Sequence, residues 1–104
     1  PISHTLDLAE GNGFEVRDVE SLREHYALTL RRWVRRLEQR RDQALAHVDE
    51  ATYRVWRLFM SGSAHNFKAD RLNVYQSLLR KPGIDGESDL PLTRADLYDA
   101  GGDV

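Results

Sequence analysis

Residues 21–48 read SLREHYALTLRRWVRRLEQRRDQALAHV, the one long stretch of this chain with continuous helical periodicity. At about 100° per residue, Tyr26, Leu30, Trp33, Val34, Leu37, Ala44, Leu45 and Val48 share one stripe. Arg31, Arg32, Arg35, Arg36 and Arg40 fall on the other side. The pattern predicts a single amphipathic helix. Ser21 with Glu24 three positions on has the spacing of a capping box, which places the helix start near Leu22. Arg41 falls on the apolar stripe by its angle, where it is expected either to run along Trp33 or Trp56 or to pair with a carboxylate. The arginine arc admits two readings: a solvated helix face, or a basic surface for an anionic membrane or a phosphate backbone.

Outward from this helix, Asp49 or Glu50 can cap a second one over Ala51 to Phe67, with Tyr53, Trp56, Phe59, Met60, Ser63 and Phe67 as its apolar stripe. The two helices are expected to form an antiparallel hairpin. Upstream, Ser3–Glu10 reads as a short helix stopped by Gly11-Asn12-Gly13. Phe14–Val19 alternates apolar and polar and then breaks locally, as a strand with one buried face would. Downstream, Leu72–Leu79 is the best strand signal, ended by Pro82-Gly83, and it is expected to pair with residues 14–19. Residues 83–104 form an acidic, mostly irregular tail in which Thr93 and Asp96 can cap one helical turn. The expected division is therefore 1–82 and 83–104.

Composition sets the outer limits. A chain of 104 residues that is 40% hydrophobic supports one small core. Its net charge of −2 argues against nucleic acid as a partner, yet the charge is uneven. Residues 21–48 carry seven Arg against three acids, and residues 83–104 carry six acids against Arg94. With no Cys there are no disulfides and no Cys-based metal site. No apolar run has membrane-spanning length and no signal-peptide pattern opens the chain, so it is expected to be soluble and cytoplasmic.

Spacing alone points to little chemistry. His4, His25, His47 and His65 are not placed as metal ligands, and no Gly-rich loop follows a strand as a nucleotide site requires. His25 reads as a capping or surface residue. Tyr26 either aims its hydroxyl into a pocket or is a core tyrosine with a satisfied hydroxyl.

The segment from Glu15 to Pro82 resembles the carboxy-terminal part of cyclopropane-fatty-acyl-phospholipid synthases and their mycolic-acid-modifying relatives. The resemblance is carried by GFEV, DVESLREHYALTLRRW, ATYRVWRLFMSGSAHNF and NVYQSLLRKP. His25-Tyr26-x-x-Thr29-Leu30-x-x-Trp33 is its most specific piece. The tail DLPLTRADLYDA also resembles extensions of some members.

The resemblance implies a class I S-adenosylmethionine-dependent methyltransferase that delivers a methyl group to the double bond of an unsaturated acyl chain, in a fatty acid or phospholipid. Proton loss then closes a cyclopropane ring, and other outcomes give methyl branches. It further implies a bound bicarbonate as the base, with Tyr26 as one of the groups that hold it. Leu30, Phe59 and Phe67 are implied as part of the acyl tunnel. The cofactor loop and the other bicarbonate partners of the family have no counterpart here and are expected upstream of Pro1. Alone, the chain is thus expected to bind no cofactor.

The expected architecture is α+β: an antiparallel strand pair with a two-helix hairpin insertion, equivalent to the C-terminal end of a Rossmann-like methyltransferase sheet. The alternative function is a non-catalytic helical-hairpin module that binds a protein partner or an anionic membrane. Open strand edges, and Trp33, Trp56, Phe59 and Phe67 on the side of the hairpin that would face a larger sheet, imply a homo-oligomer or strand exchange. Peripheral contact with the inner face of the membrane is compatible with either function.

Overall fold

The computed structural model describes residues 1–99. In chain order it contains α1 (Ile2–Gly11), β1 (Glu15–Ser21), α2 (Arg23–Gln39), α3 (Arg41–Leu45), α4 (Glu50–Lys68), β2 (Tyr75–Arg80) and α5 (Ala95–Asp99). β1 and β2 pair antiparallel, and the helices α2 to α4 are inserted between them. The architecture is α+β.

α1 ends where the breaker cluster begins. The Asn12 side chain donates to Leu8 O at 2.7 Å. Gly13 takes φ of 89°, a left-handed conformation that lets the chain reverse, and Phe14 N–H then returns to Ala9 O at 3.0 Å. In β1, Val16 lies opposite Leu79 and Asp18 opposite Leu78, so Arg17 is the extra residue of a β-bulge. This is the physical form of the break in alternation after Val16.

The strands start later than the expected 14–19 and 72–79. The reason lies at Asn73, whose side-chain oxygen accepts from Val74 N–H at 2.8 Å and from the Ser21 hydroxyl at 3.0 Å. Asn73 turns the chain into β2 and holds the end of β1. The capping box is correspondingly absent. Ser21 is the last residue of β1, Leu22 is the N-cap of α2, and no side chain caps that helix.

The single helix expected to reach Val48 is broken. α2 stops before Arg40, whose φ of −111° and ψ of 30° leave the helical region, and α3 is a separate short turn. Residues 38–43, EQRRDQ, are all polar, so no apolar contact holds the helix straight while the chain must turn toward α4. Asp49 caps α4, accepting Thr52 N–H at 2.8 Å. At the other end Asp70 takes φ of 61°, and Arg71 N–H closes on Asn66 O at 2.9 Å, a left-handed C-terminal stop.

α2 and α4 form the expected antiparallel hairpin. Ala27 and Leu30 of α2 meet Ala64 and Phe67 of α4, with Met60 and Val74 packed against them. The small side chains at 27 and 64 let the helices approach closely. Arg23 ties the two ends together, donating to Phe67 O at 2.9 Å and Lys68 O at 3.1 Å, where carbonyls at the end of α4 lack helical partners. Arg41 reaches Glu50 at 3.3 Å and lies over the Tyr53 ring at 5.6 Å, so it takes the carboxylate and not Trp33 or Trp56.

Both apolar stripes need correction. Trp33 is 48% exposed, and Trp56 and Phe59 are 56% and 62% exposed. α4 buries Tyr53, Ala64 and Phe67 on one side, while Val55, Leu58 and Phe59 project from roughly the opposite side. The molecule is accordingly extended, with a radius of gyration of 19.0 Å, against about 13 Å for a compact domain of 100 residues.

Beyond β2 the chain returns to the sheet through Arg94, which pairs with Asp18 at 2.6 Å. The helical turn expected at Thr93–Asp96 is α5, starting at Ala95. Residues 100–104 of the expected tail lie outside the described residues. No described helix is long and apolar enough to cross a membrane.

Candidate functional site

Tyr26 sits in the first turn of α2, where the Leu22 N-cap and the crossing with α4 fix the backbone; its N–H donates to Leu22 O at 2.9 Å. Its ring packs on Phe67 with centroids 5.7 Å apart and planes tilted by 44°. The side chain remains 37% exposed. Its hydroxyl makes no hydrogen bond to any described residue. The ring is held and the oxygen is open to solvent or a ligand.

Leu30 follows one helical turn later on the same side and is 7% exposed; Phe67 is 8% exposed. These two are the floor under Tyr26. Phe59 does not join them. It lies two turns from Phe67, about 12 Å along α4, with its ring edge-on to Trp56 at 5.8 Å. The structure thus brings together Tyr26, Leu30 and Phe67 and leaves Phe59 on the outer surface.

Trp33 and Leu37 lie within about 20° of Tyr26 around α2. With Ala44, His47 and Met60 they line an open apolar groove of about 430 Å³, rimmed by Arg36 and Arg40. The groove continues the side of the hairpin on which Tyr26 stands. Met60 and the two α2 residues were legible as stripe positions, but a groove between them depends on where α2 bends at Arg40.

Arg23 is the positioning residue that sequence reasoning missed. Its side chain is 22% exposed and also contacts Glu24 at 2.9 Å and Asp70 at 3.5 Å. Only the fold reveals that it closes the far end of a helix 44 positions away. Two carboxylates elsewhere titrate below their usual range. Glu15 is lowered first by its hydrogen bond from Arg17, with Arg80 adding to the effect, and Asp49 is lowered by the Thr52 side chain and backbone N–H.

The described residues do not fit S-adenosylmethionine. Gly11 and Gly13 precede β1 instead of following a strand, and the two strands are antiparallel. No strand therefore feeds a glycine-rich turn into a helix N-terminus. Toward a small oxyanion on this side of the hairpin, the Tyr26 hydroxyl is a donor with no hydrogen-bond partner among the described residues.

Comparison with known proteins gives the family. The chain belongs to the mycolic acid cyclopropane synthetase family, whose profile matches residues 2–77. It is 50% identical over 86 residues to a probable fatty acid methyltransferase of Pseudomonas putida, covering 83% of this chain and 22% of that protein. It is 45% identical over 73 residues to a tuberculostearic acid methyltransferase of Mycobacterium tuberculosis, covering 68% and 17%. Cyclopropane mycolic acid synthase 1 of the same organism is 35% identical over 75 residues, covering 72% and 26%. The chain spans about a sixth to a quarter of the length of these relatives.

Proposed function

We propose that residues 1–82 are the C-terminal portion of an S-adenosylmethionine-dependent methyltransferase that acts on an unsaturated acyl chain of a fatty acid or phospholipid. Residues 83–104 are its tail, and the cofactor is bound by parts of the protein other than this chain. Tyr26 is the bicarbonate-holding residue. Leu30 and Phe67 fix the tyrosine ring and give the acyl site part of its apolar wall, and Phe59, on the outer surface of α4, meets the acyl chain only where another part of the protein covers that face. The single observation that carries this reading is the free Tyr26 hydroxyl on a ring clamped by Phe67 at 5.7 Å. The groove of Trp33, Leu37 and Met60 beside it supports an apolar substrate.

Bicarbonate, when bound, supplies the base that removes a proton from the methylated acyl cation. Tyr26 does two things toward it. Its O–H donates to an oxyanion oxygen, and its packed ring holds that donor in place without further reorganisation. Leu30 and Phe67 keep water from the inner side of the ring, which strengthens that hydrogen bond.

The test is Tyr26→Phe in the longer protein that contains this chain. Turnover is expected to fall by about a hundredfold or more, with acyl-lipid binding unchanged, because only the hydroxyl is lost. Unchanged turnover would leave Tyr26 as a packing residue. It would favour the second reading, a hairpin that serves as an interaction module through the exposed Val55, Trp56, Leu58 and Phe59.

A further inference from the structure

We propose that the cleft on the other side of the hairpin from Tyr26 binds the phosphate group of a phosphate ester. Arg31 and Arg35 of α2 and Ser61, His65 and Lys68 of α4 line a cavity of about 410 Å³ whose apolar floor is Val34 and Ala64. Arg31 and Arg35 stand about 140° and 180° around α2 from Tyr26. The site is therefore separate from the tyrosine, and the inference does not rest on the role given to it.

What distinguishes this cleft is the convergence of unpaired cations from both helices. Arg23, Arg41, Arg54 and Arg57, elsewhere on the hairpin, each have a carboxylate partner. Arg32, Arg36 and Arg40, unpaired among the described residues, all belong to α2 or its end, with no cation of α4 lining a cavity beside them. Arg31, Arg35 and Lys68 make no ion pair with any described residue. The one acid lining the cleft, Glu38, is already held by Arg57 at 2.8 Å. Arg31 and Arg35 are also spaced one turn apart on one helix, where like charges repel and cost stability. Two guanidinium forks, an ammonium and a hydroxyl supply more donors than the two oxygens of a carboxylate can use. The non-bridging oxygens of a phosphate ester match them, and the Val34–Ala64 floor accommodates the carbon side of the ester.

The experiment uses the 104-residue chain at low ionic strength in a phosphate-free buffer. Inorganic phosphate and glycerol phosphate are titrated calorimetrically, and phosphatidylglycerol vesicles are compared with phosphatidylcholine vesicles by sedimentation. Saturable binding in either set is expected, weakened by salt and reduced about tenfold or more by Arg31→Gln with Arg35→Gln. Arg32→Gln, outside the cleft, should change it by less than about twofold. Binding to phosphatidylglycerol vesicles alone assigns a lipid headgroup, and binding of the soluble ligands assigns a free ester. The double variant relieves repulsion, so its melting temperature without phosphate should be unchanged or higher, which separates lost binding from lost fold. No binding in any arm, or an equal loss in Arg32→Gln, overturns the proposal.

Discussion

The two ends of α4 are built on different physics. At the sheet end, Ala64 and Phe67 are buried against Ala27 and Leu30, and Arg23 satisfies the last carbonyls. Near the α3 end, only Tyr53 is buried, and the helix is held by the surface pairs Arg41–Glu50, Arg54–Glu50 and Glu38–Arg57. Exposed pairs of that kind contribute about 0–1 kcal/mol each. Between the ends, Val55, Trp56, Leu58 and Phe59 have no cover. A helix apolar on two opposite sides is a helix made to be covered on both. The sheet end packs within this chain; the outer face of the middle has no cover among the described residues, and we propose a second copy or the rest of a larger protein as its cover.

The comparison breaks or holds most visibly in a pair of truncations. Phe67→Ala should cost about 3–5 kcal/mol in chemical denaturation, whereas Phe59→Ala should stay within about 0.5 kcal/mol. A large loss for Phe59→Ala, with a melting temperature that rises with protein concentration, would show that a second copy covers that face. Light scattering coupled to size exclusion reads the same assembly directly.

A smaller effect sharpens the account of the sheet end. Arg23→Leu keeps an apolar stem but leaves the Phe67 and Lys68 carbonyls without their charged donor, and should cost about 1–3 kcal/mol. Lysine at this position should recover only part of the loss: one nitrogen, Nη1, serves both carbonyls, but a single ammonium cannot also make the contacts of Nη2 with Glu24 and Nε with Asp70. Full recovery would reduce Arg23 to a simple charge.

The smallest effect lies at the opposite end. Asp49 has a native pKa below its unfolded value because Thr52 donates to its carboxylate. Its contribution is thus fully present above the ordinary aspartate range and is lost as pH falls through the lowered native value. Acid should fray the first turn of α4 while the Phe67 end stays helical. Asp49→Asn keeps the cap and removes the titration, so circular dichroism followed against pH should lose that step. A step that survives the substitution belongs to another group, with Glu15 the next to test, since its shift has the same sign.

Local signals were legible in the sequence, and non-local ones were not. The Asp49 cap, the Gly13 reversal, the hairpin and the strand pair all follow from short-range pattern, and even the bulge at Arg17 shows as a break in alternation. Ser21 misled because its hydroxyl had two possible partners, and the distant one, Asn73, prevailed once β1 extended through Ser21. The break at Arg40 was hidden because Ala44 and Leu45 resume the stripe after it. Trp56 and Phe59 share a stripe with Phe67 in the sequence, on a side expected to lack cover; the structure buries Phe67 and leaves the other two exposed, because periodicity counts apolar residues and cannot say which of them a neighbour covers. At the site, Tyr26 stood out through the family motif; its free hydroxyl and the support from Phe67 depend on a crossing between helices that no local pattern encodes.

The pairing of Ser21 with Asn73 has a kinetic meaning. It joins positions 52 apart, and closing a flexible loop of that length costs about 3–4 kcal/mol of chain entropy. A two-stranded ribbon gives too little to meet such a cost by itself. The helical hairpin removes most of it, because zipping from the short connection at residues 46–49 carries both strand ends to the same place before they touch. β1 and β2 are therefore expected to form last and to part first, an order that hydrogen exchange of their amides against those of α2 and α4 would test. A defect in the hairpin, such as loss of Phe67, dissolves a sheet in which that residue takes no part.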